Sequence, residues 1–110
     1  MYAVSEGKVQ INDRSVRTYE RAVLGKDTAF HVAAGTNGYK GSNKREAGSR
    51  AYLKIECFCG DFHFDPVKDD DGTVTGIEIA CCGDESLDTV MKVLDFAHTV
   101  ISDQCCEVND

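Results

Sequence analysis

Apolar and polar positions alternate along most of this chain, and near residue 85 the alternation gives way to a helical period. Residues 2–4 and 8–11 read as short strands around a Glu6-Gly7 turn, and Asn12-Asp13 marks a second turn. From Ser15 to Leu24 two periods overlap. Val16, Thr18, Ala22 and Leu24 suit a strand, while Val16, Tyr19 and Val23 also suit a helix. The β-branched and aromatic content favours the strand. Gly25 to Asp27 is a turn, and Thr28 to Ala34 is a strand with Phe30, Val32 and Ala34 on one face. Ala51 to Phe64 is the strongest strand signal, with Leu53, Ile55, Cys57 and Cys59 alternating with Tyr52, Lys54, Glu56 and Phe58, and with Gly60 as a bulge or bend. After the Asp69-Asp70-Asp71-Gly72 turn, the strand from Thr73 to Cys81 places Ile77, Ile79 and Cys81 inward.

The helical period runs from about Glu85 to Cys105, with Asp84 as N-cap and Glu85 and Asp88 at the positive end of the helix dipole. Leu87, Val90, Met91, Leu94, Ala97 and Ile101 form its apolar stripe, and Val93, Phe96 and Val100 widen it past half the circumference. One sheet face needs less than that. The excess implies a second contact, and a homodimer through the C-terminal helix is the expectation. The pattern as a whole specifies a single α+β domain over residues 1–110: a mainly antiparallel sheet of five or six strands, with one long C-terminal helix packed on one face.

Charge sharpens the picture. Residues 1–55 carry ten Lys and Arg against five acids, whereas residues 56–110 carry two against fourteen. The net charge of −7 argues against direct binding of nucleic acid or of an anionic membrane by the whole surface. No stretch reaches transmembrane length and no secretory h-region opens the chain, so the expected address is the cytoplasm. Six cysteines there are expected as reduced thiols. They stand in pairs, Cys57/Cys59, Cys81/Cys82 and Cys105/Cys106, closer than the Cys-x2–4-Cys knuckles of zinc sites. Cys57, Cys59 and Cys81 read best as small buried hydrophobes, and no metal or cofactor site is assigned.

The basic charge concentrates in a glycine-rich segment, residues 35–50, with Lys40, Lys44, Arg45 and Arg50 against Glu46 alone. Glycines let backbone N–H groups approach a ligand, lysine and arginine supply charge and forked donors, Asn37 and Asn43 can read polar edges, and Tyr39 can stack on a base. These residues are the candidate site for a small anionic ligand such as a nucleotide signal. The spacing matches neither a phosphate-binding Walker loop nor a dinucleotide fingerprint. The rival site is acidic: Asp69, Asp70, Asp71 and Glu78 could imitate nucleic acid and occupy a basic groove on a host nuclease. A calcium loop on the same residues fails, because Val67 holds the first ligand position and strands flank the turn. His31, His63 and His98 read as structural or surface residues. Cys57 or Cys59 with His63 is a thiolate pair only in principle, and no nucleophile motif occurs, so an enzyme is not expected.

The segments Ala34-Gly35-Thr36-Asn37-Gly38-Tyr39-Lys40-Gly41 and Gly48-Ser49-Arg50-Ala51-Tyr52-Leu53-Lys54-Ile55, followed by Gly83-Asp84-Glu85-Ser86-Leu87, resemble small uncharacterised accessory proteins of phages and prophages of Gram-positive bacteria. The resemblance covers roughly residues 32–100. It departs where Gly41-Ser42-Asn43 replaces a Gly-Gly-Asp and Ala51 replaces Thr. It implies a mobile-element protein that counters host defence, by binding a host defence protein such as a CRISPR effector nuclease or by sequestering a nucleotide signal.

Overall fold

A computed structural model describes residues 4–38 and 48–109. Six strands and one helix follow in order: β1 (Val4–Ile11), β2 (Arg14–Leu24), β3 (Ala29–Thr36), β4 (Ala51–Cys59), β5 (Phe62–Lys68), β6 (Val74–Cys81) and α1 (Asp84–Asn109). The class is α+β and every strand pairing is antiparallel. The strands do not form one sheet, however. β1-β2-β3-β4 make a four-stranded sheet, and β5-β6 stand apart as a two-stranded hairpin.

The division falls at Gly60-Asp61, where the apolar positions change phase, from Leu53, Ile55, Cys57 and Cys59 to Phe62 and Phe64. Gly60 takes φ +134°, a conformation that side chains disfavour, and the chain leaves the β4 ladder there. Pro66 adds a second reason, since it lacks the N–H that a strand flanked on both sides must supply. β5 therefore pairs with β6 alone.

Local chemistry explains the other junctions. Asn12, at φ 56°, turns β1 into β2 with Ile11 opposite Arg14. The expected Glu6-Gly7 turn does not form. Gly7 instead pairs with Thr18 in mid-strand, because the long β2 offers a continuous ladder partner. Asp69 builds the β5–β6 turn: its carboxylate accepts from the N–H groups of Asp71 at 2.9 Å and Thr73 at 3.0 Å.

Residues directly opposite each other share a sheet face. The sets Val23–Phe30–Cys57, Arg21–Val32–Ile55 and Tyr19–Ala34–Leu53 therefore form the face that α1 covers. The core is Val23, Phe30, Val32 and Val93, with Ile55, Cys57, Phe62, Phe64 and Phe96 against it. Phe30 joins all three parts of the fold, its ring centroid lying 4.6 Å from that of Phe62 and 6.3 Å from that of Phe64.

The helix sits on this face in an unexpected rotation. Its buried residues are Ser86, Thr89, Val93, Ala97 and Gln104. Leu87, Met91 and Leu94, which the periodicity placed inward, are 55%, 62% and 57% exposed. Polar clasps set the rotation. Both Glu85 carboxylate oxygens accept from Asp27 N–H, at 2.9 and 3.0 Å. The Thr28 and Thr89 hydroxyls meet at 3.4 Å. Near the other end, Gln104 accepts from Thr36 N–H at 3.0 Å and donates to Arg17 O at 2.9 Å. The first helical bond runs from Leu87 N–H to Gly83 O, so Gly83, at φ +96°, holds the N-cap place expected of Asp84.

The result is flat, with extents of 45 × 45 × 18 Å. The radius of gyration, 15.7 Å, exceeds the ~13 Å of a compact domain of this length. No helix among the described residues is long and apolar enough to cross a membrane.

Candidate functional site

Two of the basic-segment residues lie on the described stems of the 39–47 connection, and both are tied to the protein itself. The Asn37 side chain donates to Gly48 O at 3.0 Å and accepts from Arg50 N–H at 2.7 Å, while Asn37 N–H donates to Arg50 O at 3.3 Å. Thr36 adds a hydroxyl bond to the same Arg50 carbonyl at 2.7 Å. The Arg50 guanidinium donates to Asp13 Oδ1 at 3.1 Å, to Ser49 O at 3.0 Å and to Ile11 O at 3.4 Å. Asn37 and Arg50 thus lace the two stems together and fasten them to the β1–β2 turn. Tyr39, Lys40, Asn43, Lys44 and Arg45 lie outside the described residues.

Gly35 has a structural use as well. A Cβ there would fall 2.3 Å from Arg17 O, so its bare backbone serves the approach of β2.

The acidic candidates gather on the β5–β6 hairpin. Asp69, Asp70 and Asp71 occupy its turn, and all three are exposed. Asp69 is partly committed, since its carboxylate holds the turn. Glu78 stands directly opposite Asp65 in the ladder, and no ion pair offsets this like-charge couple among the described residues. Facing carboxylates destabilise a strand pair. The hairpin therefore carries a concentration of negative charge, of which its own fold uses the Asp69 carboxylate.

Its other face is apolar. The register sets Phe62 against Cys81, Phe64 against Ile79 and Pro66 against Ile77. Phe62 and Phe64 reach the core. Ile77 and Ile79 do not, being 64% and 44% exposed, although the alternation placed them inward. Between this face and α1 opens a groove of about 280 Å³. Phe30 and Ile55 line it from the sheet, Phe62, Ile79 and Cys81 from the hairpin, and Val90, Val93 and Leu94 from the helix. The sequence carried one sign of this surface, an apolar helix wider than a sheet face requires. The groove itself needed the rotation of α1 and the separation of the hairpin.

Of the three cysteines expected as buried hydrophobes, Cys57 packs against the core while Cys59 does not. Cys57 and Cys81 are half-buried and Cys59, Cys82 and Cys106 exposed, all as free thiols. Cys57 loses exposure beneath α1, and burial pushes its thiol up from the ordinary value. The Asp61 carboxylate does the same to Cys82 through its charge, aided by desolvation and a hydrogen bond. Cys59 Sγ donates to Asp27 O at 3.4 Å, while His63 Nε2 pairs with Asp61 Oδ1 at 3.0 Å. Thiol and imidazole thus have separate partners. His31 engages Glu20 on the sheet face away from the helix, with Phe58 edge-on at 5.9 Å. Among the described residues no cluster of His, Cys, Asp and Glu could hold a metal ion. Comparison with protein-family models, with curated proteins and with solved structures finds no match to this chain.

Proposed function

We propose that this protein is a non-enzymatic binding module that docks the acidic face of its β5–β6 hairpin on a basic surface of another protein. The observation that carries the reading is the cross-strand couple of Asp65 and Glu78 beside the exposed Asp69, Asp70 and Asp71. Like charges at that spacing cost stability in the free protein, and a cationic groove would relieve the cost. A projecting arm with such carboxylates suits grooves that ordinarily take nucleic acid. The resemblance to phage accessory proteins supports a host nuclease as the partner class.

The test is affinity capture from host extract, with the wild type compared against an Asp70→Asn, Asp71→Asn, Glu78→Gln triple variant. The expected result is a basic protein held at low salt, released at high salt, displaced by duplex DNA and lost with the variant. A partner held equally by the variant would overturn the reading.

A second reading rests on the cation density of residues 35–50 in the sequence, where Lys40, Lys44 and Arg45 would supply charge for a small anion. Isothermal titration with linear and cyclic nucleotides tests it. Absence of heat with every nucleotide would remove it.

A further inference from the structure

We infer that two copies of this chain associate through the outward face of α1 and the apolar face of the hairpin, about a two-fold axis near Met91. This goes beyond the docking of the acidic face, which the association leaves free. The first argument is the helix itself. It buries Ser86, Thr89 and Ala97 and leaves Leu87, Met91 and Leu94 outside, one turn apart on a single line. An isolated exposed leucine needs no explanation, but a stripe of this kind beside an open apolar groove does.

The second argument is self-complementarity. Leu87 lies four residues before Met91 and Leu94 three residues after it, so the stripe reads almost alike in both directions. Two antiparallel helices on a two-fold at Met91 bring Leu87 of each copy opposite Leu94 of the other, and their dipoles oppose favourably.

The third argument is area. Ile77, Ile79, Leu87, Met91 and Leu94 together expose roughly 500–600 Å² per copy, the upper end of what a monomer leaves in one patch. Two copies remove about 1,000 Å² or more, which a specific interface requires. The groove beside Val90 and Val93 closes in the same step, and the hairpin gains the packing that a two-stranded element lacks by itself.

Charge gives the inference a sign. Each copy carries −7, so the copies repel at long range and added salt tightens their association. Docking on a basic partner responds to salt in the opposite direction, which separates failure of this inference from failure of the proposed function.

Sedimentation equilibrium of the full chain, in reductant, from micromolar to hundreds of micromolar, is the test. The expected mass is twice the 12.0 kDa of one chain, with tighter association at half-molar than at low salt. Met91→Asp should weaken association about a hundredfold or more, with unchanged far-ultraviolet circular dichroism, because it places two unpaired carboxylates at the axis. Leu87→Asp is the second variant and should act likewise, should Met91→Asp fail to fold. Val4→Asp, at an exposed site on β1, should leave association unchanged. A monomer at every concentration, a dimer indifferent to Met91→Asp and Leu87→Asp, or association that weakens with salt would each overturn the inference.

Discussion

Replacing Gly35 by alanine tests how β2 and β3 meet. In a strand interior, glycine to alanine normally stabilises by about 0.5–1 kcal/mol, because the unfolded chain loses freedom. Here the sign should reverse. The new Cβ would stand 2.3 Å from Arg17 O, 3.0 Å from Thr18 Cα and 3.1 Å from Arg17 C, all of them backbone atoms that cannot swing aside. Restoring van der Waals contact requires the strands to part by about 1 Å, an overpacking that costs ~1–3 kcal/mol. Arg17 O is also the acceptor for Gln104 Nε2 at 2.9 Å, and Gln104 Oε1 accepts from Thr36 N–H at 3.0 Å. Disturbing that buried clip adds ~1–2 kcal/mol. The net loss of about 1–4 kcal/mol is a substantial part of the 5–15 kcal/mol that holds a small domain.

Urea unfolding followed by circular dichroism, in reductant, measures it. The midpoint should fall with the slope unchanged, and Tm should drop by roughly 5–20 °C. Gly76→Ala is the control, because its nearest contact would be Val67 Cβ at an ordinary 3.9 Å, and it should show the usual gain of about 0.5–1 kcal/mol instead of a loss. Gln104→Ala combined with Gly35→Ala should cost less than the two single losses together, since both act through Arg17 O. A Gly35→Ala protein as stable as the wild type would refute the close approach of the two strands.

Other outcomes follow from single contacts. Glu85→Ala removes the carboxylate that receives Asp27 N–H and should lower stability by about 1 kcal/mol, read as a Tm drop of about 5 °C. Asn37→Ala should cost ~1–3 kcal/mol and speed hydrogen exchange at Arg50 N–H, whose acceptor is Asn37 Oδ1 at 2.7 Å. Asp61→Asn should lower the raised Cys82 thiol pKa and quicken its alkylation at mildly alkaline pH, measured by peptide mass spectrometry. The folded chain holds that Cys82 proton more tightly than the unfolded chain does. Its contribution to stability is therefore present below the ordinary thiol pKa of 9.0 and fades as pH rises through the higher folded value.

Much of the fold could be read from local chemistry. Asn12-Asp13, Gly25 to Asp27 and Asp69 to Gly72 form turns because their residues satisfy the tight backbone within a few positions. β2, β3 and α1 lie close to where alternation and helical period placed them. Asp69, Asp70, Asp71 and Glu78 could be named from an Asp-rich turn and its flank, whereas Asp65, which the ladder sets opposite Glu78, needed the strand register. What neighbours cannot encode is where an element faces. The apolar positions shift phase at Gly60, from Cys59 to Phe62, which marks a bend locally without saying that β4 and β5 join separate sheets. Leu87, Met91 and Leu94 satisfy the same helical period as Val93 and Ala97, so the period names an apolar helix without naming its buried side.

Sequence alone thus decided the class, the C-terminal helix, the places of β2 and β3, and the opposed charge of the two halves. Those follow from backbone propensities and side-chain types along short stretches. Tertiary structure decided the rotation of α1, through the contacts of Glu85, Thr89 and Gln104 with residues 58 to 87 positions away, and with it the outward stripe and the groove beneath the hairpin. A helix with two apolar sides has two nearly equal ways to lie on a sheet, and polar bonds formed only after the chain has closed select between them.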